Sequence, residues 1–396
     1  MRHQVQMAVH SLAICSSLLA IREPQWRTQS AAHADRMRSL LSPGFIDEAE
    51  TRRRGIHAAT PLDGWRALDP EHPVYNFLLE YYALKGAKSM RRLGRWSPAL
   101  SHGGVLLEGA GQTEFENGCL SPRGATLVPE GVVYDAREFK RTATREQCAA
   151  FLWYRDVLAA TSEATPILHC YGLHEWAMQY WPEGSAPPPS AIYQSHLPLR
   201  VSREQINAAV ERSGVSCTHV DALRYFAPSA ALLNKHGAHL VRAQQPLLEQ
   251  PACVHASMDL LKMALKLHPW LPSELVGDCL EIAIAARTLD VSASPYDLTR
   301  YDLAPVCIET ETGRLEFRRR QLELMARAQP VRARLLLAYD AFLDAGFPAE
   351  VVEAALATPN AVHVATATPG GPAWRWSDLD ARAHTSHIIT NELGSE

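Results

Sequence analysis

The stretch Cys253–His268, CVHASMDLLKMALKLH, limits what this chain can fold into more than any other. On a helix at 100° per residue, His255, Asp259, Lys262 and Lys266 fall within a stripe about 60° wide. Val254, Met258, Leu260, Leu261, Met263, Ala264, Leu265 and Leu267 fill nearly every other direction. A surface helix has a broad polar face and a narrower apolar one. Here the proportions are inverted, so the segment must be buried around most of its circumference. After the break HPWLPS a second helix repeats the pattern. Glu274, Asp278 and Glu281 share a stripe about 60° wide, surrounded by Leu275, Val276, Cys279, Leu280, Ile282 and Ile284. A short connection makes two such helices antiparallel neighbours. Counting back from it at about 1.5 Å per residue sets Lys262 and Lys266 near Glu274 and Asp278. Asp259 then lies level with Glu281, and His255 lies one turn deeper.

Burying two such helices needs a large core. The chain has 396 residues, beyond the roughly 250–300 at which single cores stop growing. Its composition, 47% hydrophobic and 21% charged, is that of a soluble globular protein. Charge is uneven: residues 1–100 hold 14 Lys+Arg and 9 Asp+Glu, and the remainder holds 25 and 34. The body of the protein therefore lacks the basic excess of a duplex-DNA binder. No run reaches the roughly 18–20 apolar residues of a membrane span. The eight cysteines include no C-x-x-C pair and read as reduced core residues, not as a zinc or disulfide framework. Residues 1–22 carry Arg2 and Arg22 but no acid, and Met7–Ile21 is mostly apolar. Both a targeting peptide and an ordinary leading helix fit that composition. The expected location is cytoplasmic, or organellar if the segment is a transit peptide.

The expected fold class is mainly α, a large bundle-like helical domain with a small antiparallel hairpin or sheet near residues 96–139. That region is rich in glycine and short β-like runs such as Gly104-Val-Leu-Leu and Gly131-Val-Val-Tyr. Three parts are expected: an N-terminal extension over 1–68, a helical catalytic domain over 69–358 starting near Asp69, and a loose tail over 359–396 rich in Thr, Pro, Gly and Ser. Helices are predicted over 33–41, 74–92 and 166–181. Thr144–Gln147 and Ser202–Gln205 match capping boxes that open two more. A long amphipathic helix over 316–343 is predicted to be interrupted at Pro330, and a short one follows over 348–357.

Three constellations carry chemistry. In the first, Asp259 and Glu281 are level and His255 is close by. Two carboxylates and an imidazole in a buried seam either share a proton or hold a metal; the competing reading is an ion-pair ladder between the helices. The second is His174, as a ligand or general base against a role as a satisfied core histidine. His169 lies about 140° around the same helix and cannot join it on one metal. Met178 breaks the H-E-x-x-H pattern of zinc proteases. The third is His219, Asp221 and Arg224 with upstream Arg200, suited to a substrate carboxylate or phosphate, against a local Asp221–Arg224 ion pair. No Walker A loop, dinucleotide fingerprint, nucleophile elbow or E-x-x-H pair is present.

The phrases HPVYNFLLEYY at 72–82, LHEWAM at 173–178, LPLR at 197–200, DALRYF at 221–226, EQPACVHASMDLLKMALKL at 249–267 and LDVSASPYDL at 289–298 resemble a bacterial and algal family labelled 3-methyladenine DNA glycosylase. The resemblance covers residues 69–340. It implies a hydrolase acting on a nucleobase, with DNA as partner. A glycosylase flips a base into a pocket lined by aromatic groups and an acid or base, and Trp153, Trp176 and Trp181 are the aromatic candidates. The combined expectation is an enzyme centred on Asp259, Glu281, His255 and His174, with Arg200, Arg224, His219 and Asp221 at the substrate. A second enzymatic reading makes the same four residues ligands of a divalent metal, Fe or Mn, in a haem-oxygenase-like di-metal oxidase acting on a small molecule. A third is a non-catalytic helical binding protein whose polar lines are ion pairs only.

Overall fold

Residues 96–139 form the sheet that their Gly-punctuated, β-branched runs predict, with one strand added from elsewhere. The computed structural model describes residues 18–356 apart from 56–63, 83, 85, 100–103, 186–195, 213 and 345–346. In chain order the first regular elements are strand β1 (Leu19–Ile21) and helix α1 (Glu23–Leu41). Strands β2 (Val105–Glu108), β3 (Ala125–Val128) and β4 (Gly131–Tyr134) follow. The sheet order is β1-β2-β4-β3. The three later strands pair antiparallel, Val105 opposite Tyr134 and Ala125 opposite Tyr134, while β1 adds in parallel to β2. Helix α1 packs beside the sheet. Its Trp26 is buried and donates to the Glu108 carbonyl at 2.9 Å. Met37 and Leu41 enter the main core, so the packed fold takes in residues well before Asp69.

Helical layers make up the rest. Helix α2 (Arg145–Glu163) opens on the Thr144–Gln147 capping box, and α4 (Arg203–Glu211) on the Ser202–Gln205 box. Among the described residues between them lies only a short α3 (Leu173–Met178), where a helix over 166–181 was expected. Tyr171 and Gly172 both adopt left-handed backbone, φ 50 and φ 69, which no continuing α-helix tolerates. Upstream, the Ile167 amide is satisfied by the Gln250 side chain. The expected helix over 74–92 is likewise broken, into Asn76–Glu80 and Gly86–Arg91, with Gly86 at φ 76.

The two buried helices form as predicted: α5 (Val254–Leu267) and α6 (Ser273–Ser292). Helix α7 (Glu311–Asp344) crosses both and α2, and α8 (Ala349–Leu356) closes the described chain. Helix α7 runs through Pro330 without a break. Pro330 is exposed, so the carbonyl that loses its amide partner can turn to water. Tyr339 on α7 donates to the Met263 carbonyl at 2.9 Å, and Tyr82 to that of Met258 at 2.8 Å. These bonds clamp α5 from two sides. No helix among the described residues is long and apolar enough to cross a membrane. The described cysteines are free thiols. Residues 1–17 and the tail from 357 lie outside the described residues.

One core residue runs against the chemistry of its surroundings. Lys140 is fully buried. Its ammonium lies 4.4 Å from the Phe342 ring centroid and 5.5 Å from that of Phe347, with no hydrogen-bond partner among the described residues. Burial pushes its pKa down to about 8, against the pull of Asp344. The unfolded chain, with lysine near 10.4, therefore binds more protons between those values, and stability rises with pH across that window. Lys140→Met should raise the unfolding free energy by about 1–3 kcal/mol at pH 7, and the gain should fade as pH approaches about 10.4. Urea denaturation at pH 7 and pH 10 measures both; a methionine variant no more stable than the parent at pH 7 would remove the argument.

Candidate functional site

The polar line of α5 does face a cluster, and other elements complete it. His255 and Asp259 are one turn apart on α5. His174 is the second residue of α3, and Asp290 lies near the C-terminal end of α6. His219 caps the short helix Val220–Leu223, and Glu249 ends the short helix Gln245–Leu248. All six side chains are buried. They fall into two groups whose donor atoms lie within 4.8 Å of one another: His174, His255 and Asp290, and His219, Glu249 and Asp259. The groups adjoin through histidine. The His255 ring meets His174 edge-on at 4.5 Å between centroids and stacks on His219 at 5.0 Å.

Contacts within each group are close. His174 Nε2 is 2.7 Å from Asp290 Oδ1, yet among the described residues neither atom has an aligned hydrogen bond. His219 Nε2 is 3.4 Å from Asp259 Oδ2 and 3.8 Å from Glu249 Oε2, and among the described residues neither ring nitrogen of His219 has an aligned hydrogen bond. Buried polar atoms are nearly always paired. Orphaned nitrogens and oxygens aimed at one another have the donor set a cation uses. Ligands at about 2.1 Å from one divalent ion stand about 3 Å apart, so small side-chain movements would close either group.

Around these donors lies a shell of charges. Arg287 donates at 2.6 Å to both Glu175 Oε1 and Asp290 Oδ2. Lys262 lies 3.4 Å from Asp259 and 3.5 Å from Asp221. Arg242 holds Asp221 with two hydrogen bonds at 2.7 and 2.8 Å. Five buried carboxylates, Glu175, Asp221, Glu249, Asp259 and Asp290, thus face three cations inside or at the edge of the cluster. Arg224 reaches Asp221 from the exposed side.

Titration follows from this imbalance. Burial alone would raise the Asp290 carboxyl, but His174 and Arg287 outweigh it and hold it far below the usual range. Asp259 is likewise held low, because Lys262 and His219 outweigh burial. Burial, reinforced by the Asp259 charge, raises Glu249, and burial raises Glu175 despite Arg287. Burial disfavours charge on His174, yet Asp290 draws it well above the ordinary imidazole value. Burial together with charge on His174 and His219 holds His255 well below it. The shifts of His174, Glu249 and Glu175 all run toward the protonated form, the direction that offsets carboxylate charge.

The predicted residues divide sharply. His174, His255 and Asp259 lie in the cluster, and His219 joins them as a member of the second donor group. Glu281 does not. It is exposed and pairs with Arg36 at 3.3 Å and Arg327 at 3.4 Å. Its stripe companion Asp278 binds Arg36 at 2.7 Å and Arg334 at 2.5 Å. The acid stripe of α6 faces α1 and α7, away from α5. Lys262 accordingly serves Asp259 and Asp221, not the acids near the loop. Arg200 is held by Glu309 through two bonds at 2.7 and 3.0 Å, and Arg224 forms the local pair with Asp221 at 3.1 Å. Glu249, Asp290, Glu175 and Arg287 were not foreseen. The available signal was a charged residue inside a phrase otherwise apolar, as with Asp290 in LDVSAS.

No protein-family model matches the chain, and comparisons with curated proteins and with solved structures return no match.

Arg287→Met should destabilise the fold by about 3–5 kcal/mol, since it leaves Glu175 and Asp290 buried without their shared cation. Chemical denaturation of the two proteins measures this; a loss below about 1 kcal/mol would mean that the arginine is not the counter-charge of the pair.

Proposed function

We propose that this chain is a metal-dependent enzyme, with Fe or Mn as the expected ion, acting on a small molecule as an oxidoreductase. The observation that carries the reading is the pair of buried three-donor groups joined through His255. His174, His255 and Asp290 make up the two-histidine, one-carboxylate composition typical of non-haem iron sites. They would hold the ion. His219, Glu249 and Asp259 would hold a second ion or a proton-bearing group beside it. Bound there, the metal would supply electron transfer or Lewis acidity. The chain's own part is to fix ligand orientation. Arg287 occupies Asp290 Oδ2 and leaves Oδ1 to the ion. Cys170 Sγ sits 4.0 Å from His174 Nδ1, the nitrogen opposite the one that faces Asp290. Burial excludes water from the reacting centre. No cysteine belongs to either donor group, which favours iron or manganese over copper(I).

A second reading, a hydrolase acting on a nucleobase as the glycosylase resemblance implies, has one observation in its favour. The phrases that carry the resemblance contain His174 and Glu175, Asp221 and Arg224, Glu249, His255, Asp259 and Lys262, and Asp290. Whatever chemistry that family performs would then be centred on the same cluster. Its acids and imidazoles would serve as general acid and base, with or without a metal.

Elemental analysis tests the first reading. Protein produced with iron and manganese supplied should carry one to two equivalents, and His255→Ala should lose at least tenfold of it, the scale of a lost metal-shell residue. Less than a tenth of an equivalent in the parent protein would overturn the metal reading. The second reading predicts release of 3-methyladenine from alkylated DNA, abolished by Asp259→Asn; a parent protein that releases none would sink it.

A further inference from the structure

A pocket on the outer side of α3 is built of a different chemistry. It encloses about 360 Å³ between the segment before α3, the end of α4 and the start of α7. That volume lies in the range of small-molecule sites. His169, Tyr171, Arg212, Lys235 and Arg314 supply its polar lining, and among the described residues no carboxylate lines it. Arg212 and Arg314 both donate to the Glu309 carbonyl, at 3.1 and 3.3 Å, and Arg314 also to that of Ile308 at 3.0 Å. Sharing one acceptor holds the two guanidinium groups within a few ångströms of each other, where like charges repel. The carboxylate of Glu309, whose carbonyl the two arginines share, is held by Arg200. Among the described residues no ion pair neutralises Arg212, Lys235 or Arg314. Each arginine is fixed through backbone contacts and keeps other N–H donors for a ligand.

The backbone of the pocket is also unusual. Tyr171 carries φ 50, uncommon for a bulky residue and typical of functional loops. The following Gly172, at φ 69, lets the chain turn back into α3, where His174 stands two residues on.

We propose that this pocket binds a small molecule through an oxyanion group, a phosphate or a carboxylate pair. The guanidinium groups of Arg212 and Arg314 grip the anion, Lys235 adds charge at the rim, and Tyr171 and Leu173 provide the flat apolar wall. The site is separate from the buried His/carboxylate cluster and stands whether or not that cluster holds a metal.

Calorimetric titration of the purified full chain with inorganic phosphate, and separately with succinate, tests it. At least one should bind with a dissociation constant at or below the millimolar range and weaken as salt rises. Whichever binds more tightly identifies the class of anion. Lys235→Ala, whose side chain bonds to no carbonyl, should weaken binding at least threefold with an unchanged circular dichroism spectrum. Arg314→Gln should weaken it at least tenfold. Absence of binding by both anions at 10 mM, about the weakest affinity worth calling a site, would overturn the proposal. So would equal affinity in the parent and both variants.

Discussion

Charge compensation in the interior is the constraint on which the structure depends. Five carboxylates and three imidazoles are removed from water at the meeting point of α3, α5 and α6. An isolated ionised group in such a medium is strongly disfavoured, so each must find a partner, and the partners come from distant parts of the sequence. Arg287 draws together Glu175 and Asp290 and also donates to the Pro73 carbonyl at 3.2 Å. Lys262 joins Asp221 to Asp259, and Arg242 holds Asp221 from the other side. The short helices at 220–223 and 245–248 are too brief to be stable alone. They are placed by these contacts and by the packing around them. The polar cluster thus does for the order of the elements what apolar packing does for their compactness.

The same constraint explains why α5 is inverted in polarity. A helix wrapped by α2, α6, α7 and the Tyr82 segment has little water to face. Its one polar line points inward at the cluster, and its remaining directions are filled by side chains such as Leu261 and Ala264, neither of them exposed. The inversion was legible in sequence because helical periodicity reports angular position about an axis. The capping boxes at Thr144 and Ser202 were legible for a similar reason: they are local, and their geometry is set within four residues. So was the sheet, through its glycines, short β-like runs and turn residues.

What periodicity does not report is which neighbour a stripe meets. Glu274, Asp278 and Glu281 form a real stripe on α6, but Arg36, Arg327 and Arg334 claim its Asp278 and Glu281 from α1 and α7. Level counting from the loop assumed that the two polar lines faced each other. Gly277 makes the other arrangement feasible: a Cβ there would lie 2.7 Å from Arg36 Nη1, so glycine admits the arginine against the helix. The inward polar residues of α6, Arg287 and Asp290, come two to three turns later and belong to a different face. Glu249 sits at the end of a four-residue helix with no periodicity to read. His174 was found by residue type alone, on a helix that proves to be one and a half turns long.

That brevity bears on how the two sites relate. Because Tyr171 and Gly172 leave the helical region, α3 is not an extension of the segment before it. The chain passes from the wall of the basic pocket to His174 in three residues, with Leu173 lining the pocket and His174 facing Asp290. Trp176, two residues further, is fully buried and donates to the Ala293 carbonyl at 2.7 Å, which fastens α3 to the end of the helix that carries Asp290. This three-residue connection places the proposed anion pocket directly beside a centre whose side chains are themselves closed to water.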